Sequence, residues 1–217
     1  MANQADLILL LLIMVDLFML ATTRIAAAVR ASAVQGLLLA LLPLALSAHG
    51  STSHLAHAGL ISGGTLALKA ILIPWLLMRA LHKVAIYREV EPFVSQHISL
   101  LLGAVVVGVA FWSSAHLPAL PGNAPALLVP VSLATVLIGF LIIVTRKKMI
   151  TQVVGYLVME NGIFVFGMSL AREMPVVVEF GILLDVLVGV FVFGIVIYQI
   201  SAAFDHMDAD VLSELKD

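Results

Sequence analysis

The sequence predicts an all-α integral membrane protein, a bundle of about seven transmembrane helices with the N-terminus outside and the C-terminus cytoplasmic. Three observations carry that prediction. The 217 residues are 62% hydrophobic and only 11% charged, with a mean hydropathy of +1.16. Soluble domains carry about 25% charged residues, so this chain has no polar coat for a soluble fold. Apolar stretches near the ~20 residues that cross a ~30 Å hydrocarbon core recur along it. They are continuous rather than alternating with period two, which selects helices over a barrel.

The spans are expected at 6–27, 33–49, 56–80, 98–116, 124–145, 150–171 and 175–202. The first lacks a basic n-region, carries Asp16 and meets Arg24 instead of a small-residue cleavage site, so it reads as a retained helix and not a signal peptide. The second is the shortest and contains Pro43. Each break has turn chemistry: His49-Gly50-Ser51-Thr52-Ser53, then Glu91-Pro92, then Leu117-Pro118 to Pro121-Gly122-Asn123, then Arg146-Lys147-Lys148, then Arg172-Glu173-Met174-Pro175. The longest connection, 81–97, mixes Ile86, Val90 and Phe93 with Lys83, Arg88, Glu89 and Glu91. That pattern suits either an interfacial helix or a solvated linker. Residues 205–217 form an acidic tail.

Orientation follows from lysine and arginine in the loops. Arg24, Arg30, Arg79, Lys83, Arg88, Arg146, Lys147, Lys148 and Lys216 fall on one side, and Arg172 alone on the other. Nine against one alternates correctly only with seven spans. Localisation in the inner (cytoplasmic) membrane as a multi-pass protein follows.

Several functions are excluded by what the chain lacks. Without cysteine there is no disulfide framework, thiolate metal site or cysteine-ligated iron–sulfur cluster. No phosphate loop, Ser/His/Asp constellation or nucleic-acid face is present. His49, His54 and His57 cluster near one surface, but a metal site lacks a third convincing ligand. His97 and His116 sit at the ends of the fourth span, and Trp75 and Trp112 read as belt or packing residues. No cofactor, metal or catalytic residue is expected.

The informative residues are the ionisable ones inside spans. Asp16, Lys69, Glu160 and Asp185 all fall near mid-span at a common depth. A charge there costs at least roughly 2.5 kcal/mol, so each calls for a partner and a function. Loss of hydration disfavours the charged form of each, the condition a proton relay needs. Asp16 reads equally as a relay member or as a structural partner of Lys69. Lys69 precedes Pro74, which frees a backbone carbonyl and admits water. Glu160 is followed by Asn161, a hydrogen-bond partner, and has Gly155 nearby; Gly181 and Gly189 flank Asp185 at −4 and +4. Such small residues mark close helix contacts. Glu179 lies nearer the end of its span in a supporting position.

On these residues the chain resembles a known family. Residues 121–204 resemble the three-helix K subunit of respiratory complex I (chain 4L), with Glu160-Asn161 and Asp185 preceding Gly189 at the family's buried acids, aspartate replacing glutamate at the second. The whole chain resembles component E of hydrogenase-4-type complexes, relatives of formate hydrogenlyase. The resemblance rests on the run from Arg146 through Gln152 to Phe164, on Val178 to Asp185, and on Leu68-Lys69 through Pro74. It divides the chain into a four-helix segment, 1–120, the K-like segment, 121–204, and the tail, 205–217.

The resemblance implies a non-catalytic membrane-arm subunit of a complex-I-like nickel–iron hydrogenase, whose redox sites lie in partner subunits. The implied partners are antiporter-like and complex-I-like membrane subunits, a soluble hydrogenase module and the lipid bilayer, with no nucleic acid. Glu160, Asp185, Lys69 and Asp16 would contribute to a proton or cation path coupled to electron transfer. Two alternatives stand beside it: a scaffold joining the hydrogenase module to an antiporter-like pump, and a subunit of a multisubunit cation/proton antiporter.

Overall fold

The computed structural model describes residues 2–47, 52–84, 94–117, 125–170 and position 194. In chain order the helices are α1 (Ala2–Ala21), α2 (Ile25–Ser47), α3 (Thr52–Thr65), a π-helical segment (Leu66–Leu72), α4 (Ile73–Val84), α5 (Gln96–Ala115), α6 (Leu128–Thr145) and α7 (Met149–Leu170). Because α3, the π segment and α4 run on as one rod, these helices supply six rods, each long and apolar enough to cross a membrane. The seventh expected span, position 194 apart, lies outside the described residues, and with it Glu179, Gly181, Asp185, Gly189 and the acidic tail.

Two boundaries differ from the sequence expectation. The first connection is Thr22–Arg24, so Arg30 lies inside α2 and not in a loop. The second span, expected to be the shortest, is a 23-residue helix that passes through a buried Pro43. The surrounding leucines and alanines are strong helix formers, and they carry the helix through the proline despite its missing N–H and the crowding of its ring.

The core is split in two. One apolar cluster gathers Met19 and Leu20 of α1, Ile25 and Val29 of α2, Ile73, Leu77 and Leu81 of α4, Ile138 and Ile142 of α6, and Val154 and Val158 of α7. The other gathers Leu9 and Leu12 of α1, Leu39 and Leu42 of α2, Leu128 and Val131 of α6, and Phe164 and Val165 of α7. α1, α2, α6 and α7 each pass from one cluster to the other near the middle. The crossover residues are the polar ones: Asp16, Gln35, Lys69, Thr135, Glu160 and Asn161. A polar layer therefore lies between two apolar seals.

Every lysine or arginine among the described residues, Lys69 apart, lies toward the end of the bundle that the first cluster fills. Arg24 follows α1, Arg30 is in the early turns of α2, Arg79 and Lys83 are late in α4, and Arg146, Lys147 and Lys148 join α6 to α7. Outward faces carry large apolar side chains such as Leu101, Trp112 and Phe140, the surface a hydrocarbon solvent demands.

α6 and α7 form a tight hairpin. Gly139, Gly155 and Gly162 line its seam, where a Cβ on Gly162 would lie 2.6 Å from the Val136 nitrogen and one on Gly155 2.9 Å from Ile142 Cγ2. Only glycine lets the two backbones approach this closely.

Candidate functional site

The third rod widens where Lys69 sits. Pro74 has no N–H to give and its ring crowds the preceding turn. Ahead of it the chain adopts the looser π turn, in which the Ile73 N–H bonds the Leu68 carbonyl five residues back. Such turns interrupt regular helices at functional positions. Gly36 of α2 packs directly on this stretch, since a Cβ there would lie 2.6 Å from the Lys69 carbonyl. The widened turn and the missing side chain together direct Lys69 into the bundle, where it is 5% exposed.

Its ammonium meets one turn of α7. Lys69 Nζ lies 2.5 Å from Glu160 Oε1 and donates to Asn161 Oδ1 at 2.9 Å. It also lies 4.7 Å from the Phe164 ring centroid, within cation–π range. Residues 160 and 164 share a face at i and i+4 and residue 161 lies beside them, so about one helical turn supplies anion, amide and ring.

The network continues away from the ion pair. Asn161 Nδ2 donates to Gln35 Oε1 at 2.9 Å, and Gln35 Nε2 donates to Asp16 Oδ1 at 2.6 Å. Thr135 Oγ1 donates to Asp16 Oδ2 at 2.7 Å. The result is one unbroken side-chain chain, Glu160–Lys69–Asn161–Gln35–Asp16–Thr135, spanning α7, the π segment, α2, α1 and α6. All six side chains are buried. In a low-dielectric interior such a chain holds only if its groups satisfy one another.

A small cavity opens on the ion pair, bounded by Ser32, Lys69, Ile73, Leu157, Glu160 and Asn161, with about 10 Å³ open to the centre of a water-sized sphere. That is about the lower limit for holding one water. In a mostly apolar wall, Ser32, Lys69, Glu160 and Asn161 are the polar partners for such a water.

Three of the four mid-span ionisable residues singled out in the sequence thus join one network. The direct pairing of Asp16 with Lys69 does not occur. Lys69 pairs with Glu160, and Asp16 is reached through Asn161 and Gln35, because the lysine projects toward α7 while Asp16 faces α2 and α6. Asn161 supports the pair as a hydrogen-bond acceptor. Gly155 lies in the α6–α7 seam. Asp185 and Glu179 fall outside the described residues.

Gln35 and Thr135 are the members that sequence reasoning passed over. The signal for Gln35 was available: a carboxamide in the middle of an apolar span needs a buried partner as surely as a charge does. Thr135 gave no such signal, since a helical hydroxyl can satisfy itself on its own backbone. Arg146 lies in the α6–α7 connection, as expected, but it is 1% exposed, and its guanidinium donates to the Leu20 carbonyl in the last turn of α1. A cation there complements the negative end of the helix dipole.

No protein-family model matches the chain, and no solved structure matches it. It is 35% identical over 192 residues to the uncharacterized protein Rv0085 of Mycobacterium tuberculosis, covering 88% of this chain and 86% of that one. Over 150 residues it is 29% identical to hydrogenase-4 component E of Escherichia coli, 68% of each chain, and the same values hold for component E of Shigella flexneri. The chain therefore belongs to the family of Rv0085, with hydrogenase-4 component E as a distant homologue.

Proposed function

We propose that the chain is a non-catalytic membrane-arm subunit of a complex-I-like nickel–iron hydrogenase of the inner membrane, and that its buried polar layer takes part in proton translocation driven by electron transfer elsewhere in the complex. The distant homology to hydrogenase-4 component E supports membership in a hydrogenase complex. One observation carries the proton role: an ion pair, Lys69–Glu160, is buried at mid-span beside a cavity of about one water and sealed above and below by apolar residues. Two groups that each exchange a proton sit in contact, with a water-sized space against them. An apolar layer on either side is what a gated path needs, since an open one would leak.

The same geometry favours a proton over a sodium ion as the cargo here. The position a bound cation would take at Glu160 is filled by the lysine ammonium, and the adjoining space has no room for a coordination shell. The excess of basic residues at one end of the bundle supports placing that end in the cytoplasm. The seventh span, with Asp185, would extend the layer, and the partners would be antiporter-like and complex-I-like membrane subunits with a soluble hydrogenase module.

The test is Glu160→Gln in the assembled complex. The reading expects hydrogen turnover to continue while coupled proton translocation is lost. Translocation at the native rate would leave only the scaffold role, in which the glycine seam matters and the ion pair does not.

A further inference from the structure

The hydrogen bonds between Lys69 and Asp16 all point one way. A lysine ammonium has donors only, so the Asn161 atom at 2.9 Å from it is the carboxamide oxygen. The Asn161 nitrogen then faces Gln35, whose oxygen must accept. That leaves the Gln35 nitrogen to donate to Asp16 Oδ1. The orientation of both amides is thus fixed from the cationic end and matched at the anionic end, and each bond polarises the next. Thr135 donates to the other carboxylate oxygen, so both oxygens of Asp16 act as acceptors.

Two carboxamides between the charges also set a limit on what the chain does. An amide N–H does not give up its proton near neutrality, so no proton passes from Lys69 to Asp16 along this route. We propose that Gln35, together with Asn161, couples the protonation of Asp16 to that of Lys69 without conducting a proton between them, which makes Gln35 a positioning residue for the Lys69–Glu160 site. When Asp16 takes a proton, its oxygens become poorer acceptors and the hold on the Gln35 amide loosens. Asn161 then loses the partner that orients it, and its oxygen holds the Lys69 ammonium less firmly. Lys69 can then pass one proton to Glu160, becoming a free amine that accepts from the reversed Asn161 amide. One proton is gained at Asp16 and one leaves Lys69, each by its own route.

Asp16 takes its side-chain hydrogen bonds from Gln35 and Thr135. Of the ionisable side chains on the helices packed against α1, Arg30 of α2 and His97 of α5 are exposed, and Arg146 after α6 is directed to the Leu20 carbonyl. At the other end Lys69 faces Glu160 and Phe164 of α7, while Arg79 of α4 is exposed over the Trp75 ring.

The inference rests on the proton-translocation reading for its significance but is tested without turnover, so the two fail separately. The full-length chain in lipid nanodiscs is examined by infrared spectroscopy, following the protonated-carboxyl band of Asp16, identified by its loss in Asp16→Asn. Lys69→Met changes the protonated fraction of Asp16, and the change is at least about threefold larger with Gln35 present than in a Gln35→Leu background, as direct network coupling requires. Equal changes in the two backgrounds overturn the proposal. Should Gln35→Leu fail to fold, the unaltered chain serves: the side-chain amide nitrogen signals of Gln35 and Asn161 move together with the Asp16 band as pH is stepped. Amide signals that stay fixed while the band changes overturn it equally.

Discussion

Lys69 and Glu160, 91 residues apart in sequence, form a 2.5 Å ion pair with both side chains buried. The pair joins the only interrupted rod among the described residues to the helix most deeply enclosed by the bundle. Both charges have left water, and each depends on the other to offset that loss.

Removing either charge alone should therefore be costly. Lys69→Met or Glu160→Leu alone is expected to destabilise the chain by about 3–5 kcal/mol, the range for stranding a buried partner. The double replacement Lys69→Met with Glu160→Leu should cost less than the sum of the two singles, because no unpaired charge is left behind. Unfolding midpoints of the four proteins in a lipid-like detergent, analysed as a double-mutant cycle, check this.

The π segment gives a prediction in which stability and function separate. Pro74→Ala restores a donor and removes a ring from the third rod, and proline is about 3 kcal/mol worse than alanine in a helix interior. A regular helix through 66–73 would change the register of α3 against α4 by about one residue, roughly 100° of rotation. Lys69 would then no longer face Glu160. The propensity gain and the ~3–5 kcal/mol cost of parting the buried pair then roughly cancel, so the variant is expected to fold with near-native stability while coupled proton translocation in the complex falls sharply.

Much of this layer was legible in the sequence, for a definite reason. A charge inside a hydrocarbon span is costly wherever it points, so Asp16, Lys69 and Glu160 declare themselves by depth alone. Hydropathy likewise places the spans, because it measures the solvent each helix must meet. Partnership was not legible. Which residue meets Lys69 depends on how α7 is rotated and on the π turn ahead of Pro74, both tertiary outcomes. Gln35 was hidden because a neutral amide reads as one more polar residue until the two atoms it bridges are known. The burial of Arg146 was hidden for the opposite reason: a basic triplet between two spans looks like a solvated loop, and the buried carbonyl at the end of α1 that draws one arginine inward carries no sequence mark.

The seam between α6 and α7 should tolerate no side-chain growth. A Cβ on Gly162 would lie 2.6 Å from the Val136 nitrogen, a backbone atom that cannot rotate away. Gly162→Ala and Gly155→Val are expected to cost about 1–3 kcal/mol through overpacking. They should also lower the amount of chain recovered in the assembled complex, read by affinity purification against a partner subunit.

Arg146 offers a check on the basic end of the bundle. Arg146→Ala removes the donor that meets the Leu20 carbonyl, and a buried carbonyl without a partner costs about 1–3 kcal/mol. Arg146→Lys keeps the charge but not the planar fork of donors, so it should recover only part of the loss. Hydrogen exchange in the last turn of α1 should rise in both variants, more in the alanine one.

The measurement that tests the central claim most directly is the number of protons translocated per hydrogen turned over, by the complex in sealed proteoliposomes, with Lys69→Arg in place of the native chain. Arginine keeps a positive charge beside Glu160 but does not release its proton at any working pH. If the Lys69–Glu160 pair exchanges protons, assembly and hydrogen chemistry persist while the number of protons translocated per hydrogen falls steeply. A native ratio from an assembled Lys69→Arg complex would contradict the account, showing that the buried charge serves the fold and not the transfer.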